Sequence, residues 1–155
     1  MPWERQRSRS TGTGVAEYSR RLTGMAEFTV TEVADERLPD NAGTAEKTRI
    51  LAKEGSRILS HVRSQDLCIV LDVGGRTMAS EAFARYLNDA ILEGKNRITL
   101  VIGGSLGIAP PEVRSRADLR LSFGPMTFPH QMARLILAEQ IYRAAMINAG
   151  RQYHR

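Results

Sequence analysis

The chain has 155 residues, a formal net charge of +5 and an apolar fraction of 42%. This length and composition suit one globular domain with its own core, and they exclude a disordered chain. No apolar run approaches the roughly 18 residues that a membrane span needs, and no leader pattern opens the chain, so we expect a cytoplasmic protein outside the membrane. The excess of positive charge favours a polyanionic partner such as nucleic acid, although charge alone is a weak signal.

The first third of the chain predicts an irregular arm, the end of a helix, a strand and a second helix. Residues 1–14 (MPWERQRSRSTGTG) are polar and basic, and we expect them to be disordered or to be a misassigned start. Residues 17–22 are typical of a helix end, and the alternating, β-branched stretch 26–33 predicts a strand. Apolar residues at helical spacing predict a helix over 44–62.

Strands and helices alternate through the rest of the chain. The nearly all-apolar run 66–73 predicts a strand covered on both faces, with Cys68 packed inside it. A helix follows over 79–94, with Ser80 as a plausible cap and Gly94 as its stop. The remaining predicted elements are a buried strand over 97–104, a short helix over 109–117, a strand over 119–123 and a helix over 130–148. This order argues for one α/β domain, a parallel sheet with helices on both faces, over residues 15–155.

A glycine-rich turn follows the second buried strand, in the sequence VIGGSLGIAPPEV. Ligands of open α/β sheets sit beyond the carboxyl ends of the strands, so Gly103, Gly104 and Gly107 suit close contact with a small molecule. The spacing matches neither the dinucleotide-binding glycine motif nor a P-loop, which argues against nucleotide triphosphate hydrolysis. From spacing alone, a plain turn explains the glycines equally well.

The loop LSFGPMTFPHQ, residues 121–131, joins the last strand to the last helix. Pro125 and Pro129 restrict the backbone, whereas Gly124 permits conformations that other residues avoid. Such a loop can hydrogen-bond an adenine edge through backbone groups, with apolar side chains packed against the ring. The alternative to a ligand-binding loop is a loop that only caps the start of the last helix, in which case His130 has a structural role.

The last helix carries two apolar stripes, and the final residues carry groups suited to RNA. One stripe is made of Leu135, Ala138, Tyr142 and Ala145, and the other of Leu137, Ile141 and Ala144. A helix that ends a small domain has one core to cover, so the second stripe suggests a partner subunit. Glu139 lies four residues before Arg143, which predicts an ion pair on the helix surface. Tyr153, His154 and Arg155 offer a stacking ring, a titratable imidazole and a phosphate-binding guanidinium.

Five stretches together resemble the RlmH family, ribosomal RNA large-subunit methyltransferases of the knotted SPOUT class. These stretches are EYSRRL, LDVGGRTMASEAFARYL, VIGGSLG, LSFGPMTFPHQMARLILAEQIYRAAMI and YHR, and the resemblance covers roughly residues 16–155. It implies an α/β fold with a C-terminal trefoil knot, a homodimer, and S-adenosyl-L-methionine held by the knot loops. It also implies methylation of N3 of a pseudouridine in large-subunit ribosomal RNA, on the assembled ribosome.

The resemblance also assigns residues to a site. On the cofactor side it implies Leu71, Gly103, Gly104, Gly107, Leu121, Ser122, Phe123, Gly124, Pro125 and Met126. On the catalytic and substrate side it implies Arg143, Tyr153, His154 and Arg155. The N3–H of the base is a weak acid that must lose its proton, and His154 is the first candidate to assist, with Asp72 second. No cluster of Cys and His residues is present in the sequence, so no metal is implied.

The start of the chain departs from the family pattern. Family members begin with a buried strand of the ITILAVGK type, whereas this chain begins with a polar and basic stretch. We expect that the start is misassigned or shifted in frame, or that the first strand is missing or altered. Two other functions also stay open. One is a non-catalytic protein that binds RNA or the ribosome, and the other is a knotted methyltransferase that acts on transfer RNA.

Overall fold

The computed structural model describes residues 2–34, 36, 38–103 and 109–153, with side chains from residue 12 onward. Its elements are α1 (Pro2–Leu22), α2 (Thr44–Leu59), β1 (Leu67–Thr77), α3 (Ser80–Leu92), β2 (Ile98–Val101), α4 (Pro111–Arg116), β3 (Leu119–Ser122) and α5 (His130–Asn148). The chain forms two compact units. The helical unit contains α1, α3 and α5, and the sheet unit contains the three strands with α2 and α4.

The sheet has three parallel strands in the order β2, β1, β3. The central strand β1 is nearly inaccessible from Leu67 to Val70, where no residue exceeds 4% exposure. Successive residues of a strand point to opposite faces, so this stretch is buried on both faces of the sheet. The prediction of a doubly covered strand from the run 66–73 is confirmed for residues 67–70, whereas Val73 is 51% exposed.

One face of the sheet packs against α2 and α4. Cys68 and Val70 of β1 form a core cluster with Val101 of β2 and Val113 of α4. Partly buried apolar residues at the end of α2 and beyond it, among them Ile58, complete the cluster. Cys68 is a buried free thiol, as predicted.

A polar cluster joins the amino ends of the three strands. The carboxylate of Asp118 accepts the backbone N–H of Cys68 at 2.8 Å and forms an ion pair with Arg116 at 3.1 Å. Burial opposes the ionisation of Asp118, but these hydrogen bonds outweigh it and lower the pKa of the carboxyl group. The buried carboxylate of Asp66 accepts the hydroxyl of Thr99 at 2.9 Å. The strands are thus aligned by side chains as well as by their ladders.

Strand β1 bulges at its carboxyl end. Leu71 and Arg76 both align with Leu121 of β3, so the residues between them leave the ladder. A Cβ atom on Gly75 would lie 2.6 Å from the carbonyl oxygen of Arg120. The bulge is closed so tightly against β3 that only glycine fits at this position.

Helix α5 is covered by two neighbours in the helical unit. Both α1 and α3 pack along it, and residues of both apolar stripes, including Leu137 and Ala138, are buried. The two stripes therefore face two helices of the same chain. The stripes alone therefore do not establish a partner subunit, and a homodimer stays a prediction.

Two further predictions of secondary structure differ from the structure. Residues 26–33 were predicted as a strand, but residues 26–34 form none, and Val30 is 47% exposed. The alternation marks which side chains share a face, but a strand also needs a paired neighbour. Ser80 does not cap α3 through its side chain, since its hydroxyl donates to Gln140 of α5 at 2.7 Å.

The amino-terminal arm was expected to lack regular structure, whereas the backbone is helical from Pro2 onward. Within α1, Val15 is buried, and a Cβ atom on Gly14 would lie 2.7 Å from Leu135 of α5. The packing of the helical unit thus reaches residue 14. That residues 1–14 lack order in solution stays a prediction, and so does a single domain over residues 15–155.

The bulge yields a test of the fold. Gly75→Ala should lower the free energy of unfolding by about 1–3 kcal/mol, because the new methyl group would overlap the Arg120 carbonyl. Gly74→Ala is the matched control, since its Cβ would lie 3.6 Å from the nearest atom, in ordinary contact. Urea denaturation of the two variants measures the difference. Equal stabilities would contradict the close approach at Gly75.

Candidate functional site

The predicted cofactor residues that the structure describes all lie at one edge of the sheet unit. Leu71 aligns with Leu121, and Gly103 follows β2 by two residues. The carboxyl ends of parallel strands share an edge, so the sheet brings Leu71, Gly103 and the loop 121–126 to the same side. Gly104 and Gly107 lie outside the described residues.

Ser122 ties the loop 121–126 to the bulge of β1. Its side chain is buried, and its hydroxyl donates to the carbonyl of Val73 at 3.0 Å and accepts the N–H of Gly124 at 3.1 Å. Gly124 has φ +113°, a conformation that disfavours any side chain. The Ser122 hydroxyl is therefore used within the protein, and the loop turns sharply at Gly124.

The chemistry of this edge fits the adenosyl part of S-adenosylmethionine. Its predicted members are apolar side chains, glycine and proline backbone, and one serine whose hydroxyl is already bonded. Pockets for such ligands are mostly apolar, with a few polar groups that fix orientation. Met126 is 72% exposed, so this large apolar side chain is available to a flat ring.

Asp72, the second candidate for proton transfer, is engaged in the bulge. One carboxylate oxygen accepts the N–H of Gly74 at 3.0 Å, and the other lies 3.3 Å from the guanidinium of Arg120. Its side chain is 16% exposed. These contacts support a structural role in shaping the bulge.

The chain reverses direction after α5. Gly150 adopts φ +67°, and the N–H groups of Gly150 and Arg151 donate back to the carbonyls of Ile147 and Met146 at 3.0 and 2.9 Å. This is the hydrogen-bond pattern of a Schellman motif, in which glycine allows the left-handed turn. The turn directs Tyr153 back along the helix that precedes it.

Tyr153 packs in a tyrosine cluster with Tyr18 of α1 and Tyr142 of α5. The ring centres of Tyr142 and Tyr153 lie 4.8 Å apart, edge to face, and those of Tyr18 and Tyr142 lie 5.9 Å apart. The guanidinium of Arg143 lies 5.0 Å from the Tyr153 ring centre. Arg143 is held in turn by Glu139 at 2.6 Å, which confirms the predicted pair and raises the pKa of Arg143.

The structure thus brings two predicted substrate-side residues, Arg143 and Tyr153, into contact within the helical unit. His154 and Arg155 lie outside the described residues. The sequence did not indicate Tyr18, because nothing in its spacing links a residue of α1 to the last turn of the chain. The link between Ser122 and the bulge was missed for the same reason.

Metal-binding clusters and membrane-spanning helices are both absent from the described part of the chain. No group of three or more His, Cys, Asp or Glu side chains there could hold a metal ion. Among the helices described, none is both long enough and apolar enough to pass through a bilayer.

Comparison with known proteins identifies the family. The family described as "Predicted SPOUT methyltransferase" matches residues 4–154. Proteins named ribosomal RNA large subunit methyltransferase H from Streptococcus thermophilus and Levilactobacillus brevis are 51% and 46% identical over 142 residues, or 92% of this chain and 89% of each relative. The protein of that name from Carboxydothermus hydrogenoformans is 47% identical over the same shares. The chain therefore belongs to the SPOUT methyltransferases, in the RlmH family that these relatives represent.

The loop anchor yields a second test. Ser122→Ala should lower the free energy of unfolding by about 0.5–1.5 kcal/mol, because the part-buried hydrogen bonds to the Gly124 N–H and the Val73 carbonyl are lost. Ser115→Ala, at an exposed position of α4, removes the same hydroxyl and should change stability by less than about 0.5 kcal/mol. Thermal and urea unfolding measure both variants. A Ser122→Ala protein as stable as the control would show that the hydroxyl does not anchor the loop.

Proposed function

We propose that this chain methylates N3 of a pseudouridine in large-subunit ribosomal RNA, on the assembled ribosome, with S-adenosylmethionine as the methyl donor. The observation that carries the proposal is the match along 92% of the chain to relatives named for methylation of large-subunit ribosomal RNA. The net charge of +5 agrees with a polyanionic partner. A ribosomal substrate would place the activity in the cytoplasm.

The cofactor would be held at the carboxyl edge of the sheet. In this proposal Leu71 and Met126 contact the adenine ring, and the backbone at Gly103, Gly104, Gly107 and residues 121–126 approaches the rest of the molecule. S-adenosylmethionine supplies an activated methyl group on its sulfonium when it is bound. The trefoil knot that the family resemblance implies would be formed by these loops, and it is part of the proposal.

Residues near the end of the chain would act on the RNA. Once the methyl donor and the base nitrogen are aligned, orientation supplies much of the rate, so side chains are needed mainly to hold the base and take its proton. In this proposal His154 accepts the N3 proton, Arg155 contacts a phosphate, and Tyr153 stacks or orients. Arg143 acts by holding Tyr153.

A homodimer belongs to the proposal because the RlmH resemblance implies one. The buried stripes of α5 no longer argue for it, so oligomeric state needs its own measurement. Light scattering at micromolar concentration, on the full chain, distinguishes a dimer from a monomer directly.

The function is tested with labelled S-adenosylmethionine and ribosomes from cells that lack the modification. We expect transfer of label to large-subunit RNA, with the methylated base mapped to N3 of a pseudouridine. Transfer to free transfer RNA but not to ribosomes would replace the substrate in the proposal. Ribosome binding without cofactor binding or transfer would show instead a non-catalytic RNA-binding protein.

Two glycines allow a matched test of the cofactor site. Gly124 and Gly94 both have positive φ, +113° and +93°, and open space around the position of a Cβ atom. Alanine should destabilise either position by about 1–2 kcal/mol through backbone strain. Gly124→Ala alone should weaken S-adenosylmethionine binding, by about tenfold or more, because Gly124 shapes the proposed site. Calorimetry measures the affinities, and equal affinities in the two variants would remove loop 121–126 from the site.

Removal of His154 and Arg155 tests the catalytic assignment. The shortened chain retains Tyr153 and its packing, so folding should be preserved. Single-turnover methyl transfer to unmodified ribosomes should fall by at least about a hundredfold, the low end of general acid–base effects. Arg151→Ala, which removes an exposed cation from the same segment, is the control for loss of charge. Unimpaired transfer by the shortened chain would contradict the roles given to these two residues.

A further inference from the structure

We propose that Tyr18 is a positioning residue for methyl transfer, and that it acts by holding Tyr153, the residue before His154, against α5. This inference rests on the proposed function, because it assigns Tyr18 to the reaction in which residues 153–155 take part. Tyr18 lies near the carboxyl end of α1, which packs along α5 in the helical unit. Its ring contacts Tyr142 of α5, and its hydroxyl is bonded to Tyr153.

The ring contacts run in series from α1 to the end of the chain. Tyr18 lies 5.9 Å from Tyr142 with the rings tilted by 45°, and Tyr142 lies 4.8 Å from Tyr153 at 79°. Tilted and edge-to-face pairs at these distances are favourable beyond the area they bury. The middle ring, Tyr142, belongs to α5, so the cluster fastens both Tyr18 and Tyr153 to that helix.

A hydrogen bond joins the two outer members directly. Burial and the hydrogen bond to Tyr18 raise the pKa of Tyr153 to about 12. A hydrogen bond that raises the pKa of an acid favours its protonated form. The hydroxyls of Tyr153 and Tyr18 therefore face each other, which restricts where the phenol end of Tyr153 points.

Two arginines pack on the cluster, each held by a carboxylate. The Arg21 guanidinium lies 5.8 Å from the Tyr18 ring centre and 5.9 Å from that of Tyr142, and it is bonded to Glu17 at 2.8 Å. Arg143 lies over Tyr153 and is bonded to Glu139. Because their carboxylate partners restrain both guanidinium groups, two cations with defined positions lie against the rings of the cluster.

Such fastening matters because chain ends fray unless side chains tie them down. The backbone of Tyr153 donates one hydrogen bond, to the Arg151 carbonyl at 3.1 Å, after the turn at Gly150. The next two residues are His154 and Arg155, to which the proposed reaction assigns the proton and the phosphate. Misplacement of catalytic groups by about 1 Å reduces rates by about a hundredfold, so an anchor at Tyr153 bears on turnover.

The test compares Tyr18→Phe with Tyr86→Phe in the full chain. The first removes the Tyr18 hydroxyl and keeps the ring, and the second removes a phenol hydroxyl from α3 of the same unit. The pKa of Tyr153 is followed by nuclear magnetic resonance of ring-labelled tyrosine, with the signal assigned from Tyr153→Phe. Single-turnover transfer is measured at saturating unmodified ribosomes, together with S-adenosylmethionine affinity.

In Tyr18→Phe we expect the pKa of Tyr153 to fall from about 12 toward its ordinary value of 10.0. The transfer rate should fall by about tenfold, the scale of one lost hydrogen bond, with cofactor affinity unchanged. Tyr86→Phe should leave the pKa of Tyr153 and the transfer rate unchanged.

An unmoved pKa in Tyr18→Phe would overturn the inference whatever the protein does to RNA. A moved pKa with full transfer would also overturn it, since the cluster would then be structural only. If the unsubstituted protein transfers no methyl group to ribosomes, the proposed function fails and the role of Tyr18 in transfer fails with it.

Discussion

The parallel pairing of β1 with β2 on one side and β3 on the other determines where the described residues of the proposed cofactor site lie. Because the three strands run in the same direction, the segments that follow them emerge at a common edge. The amino ends are aligned by the Asp118 and Asp66 carboxylates, and the carboxyl ends by the bulge that closes on Arg120 at Gly75. A shift of one residue in the register of β3 would separate Leu71 from Leu121 and move the loop 121–126 with it.

Within each of the two units, glycines set the shape of the backbone at critical turns. Three glycines have different structural roles. Gly75 allows the Arg120 carbonyl to approach closely, Gly124 turns its loop with a positive φ, and Gly150 reverses the chain after α5. Charges appear instead in pairs that restrain aromatic rings or shape turns, as with Glu139 and Arg143 or Asp72 and Arg120. Such an arrangement suits a reaction in which orientation supplies much of the rate.

Much of this architecture could be predicted from the sequence where one residue pattern has one structural meaning. The run 66–73 predicted a strand covered on both faces, which residues 67–70 form, and the helix over 130–148 has the predicted bounds. Prediction failed where the outcome depends on a distant neighbour. The alternation of 26–33 did not reveal that no strand pairs with it, and the two stripes of α5 did not reveal that α1 and α3 cover them. The tyrosine cluster could not be predicted from the sequence for the same reason, since it joins the first and last helices.

The hydroxyl of Ser122 has a consequence for local opening of the fold. It bonds the Val73 carbonyl and the Gly124 amide at the same time, so the bulge of β1 and the turn after β3 are joined through a single atom. Hydrogen exchange at the Gly124 amide requires this bond to open, and the opening also loosens the turn from the bulge. A molecule seated on loop 121–126 that favours the closed turn would slow this exchange. The hydrogen-exchange rate of the Gly124 amide would therefore show whether a ligand is bound at the carboxyl edge of the sheet.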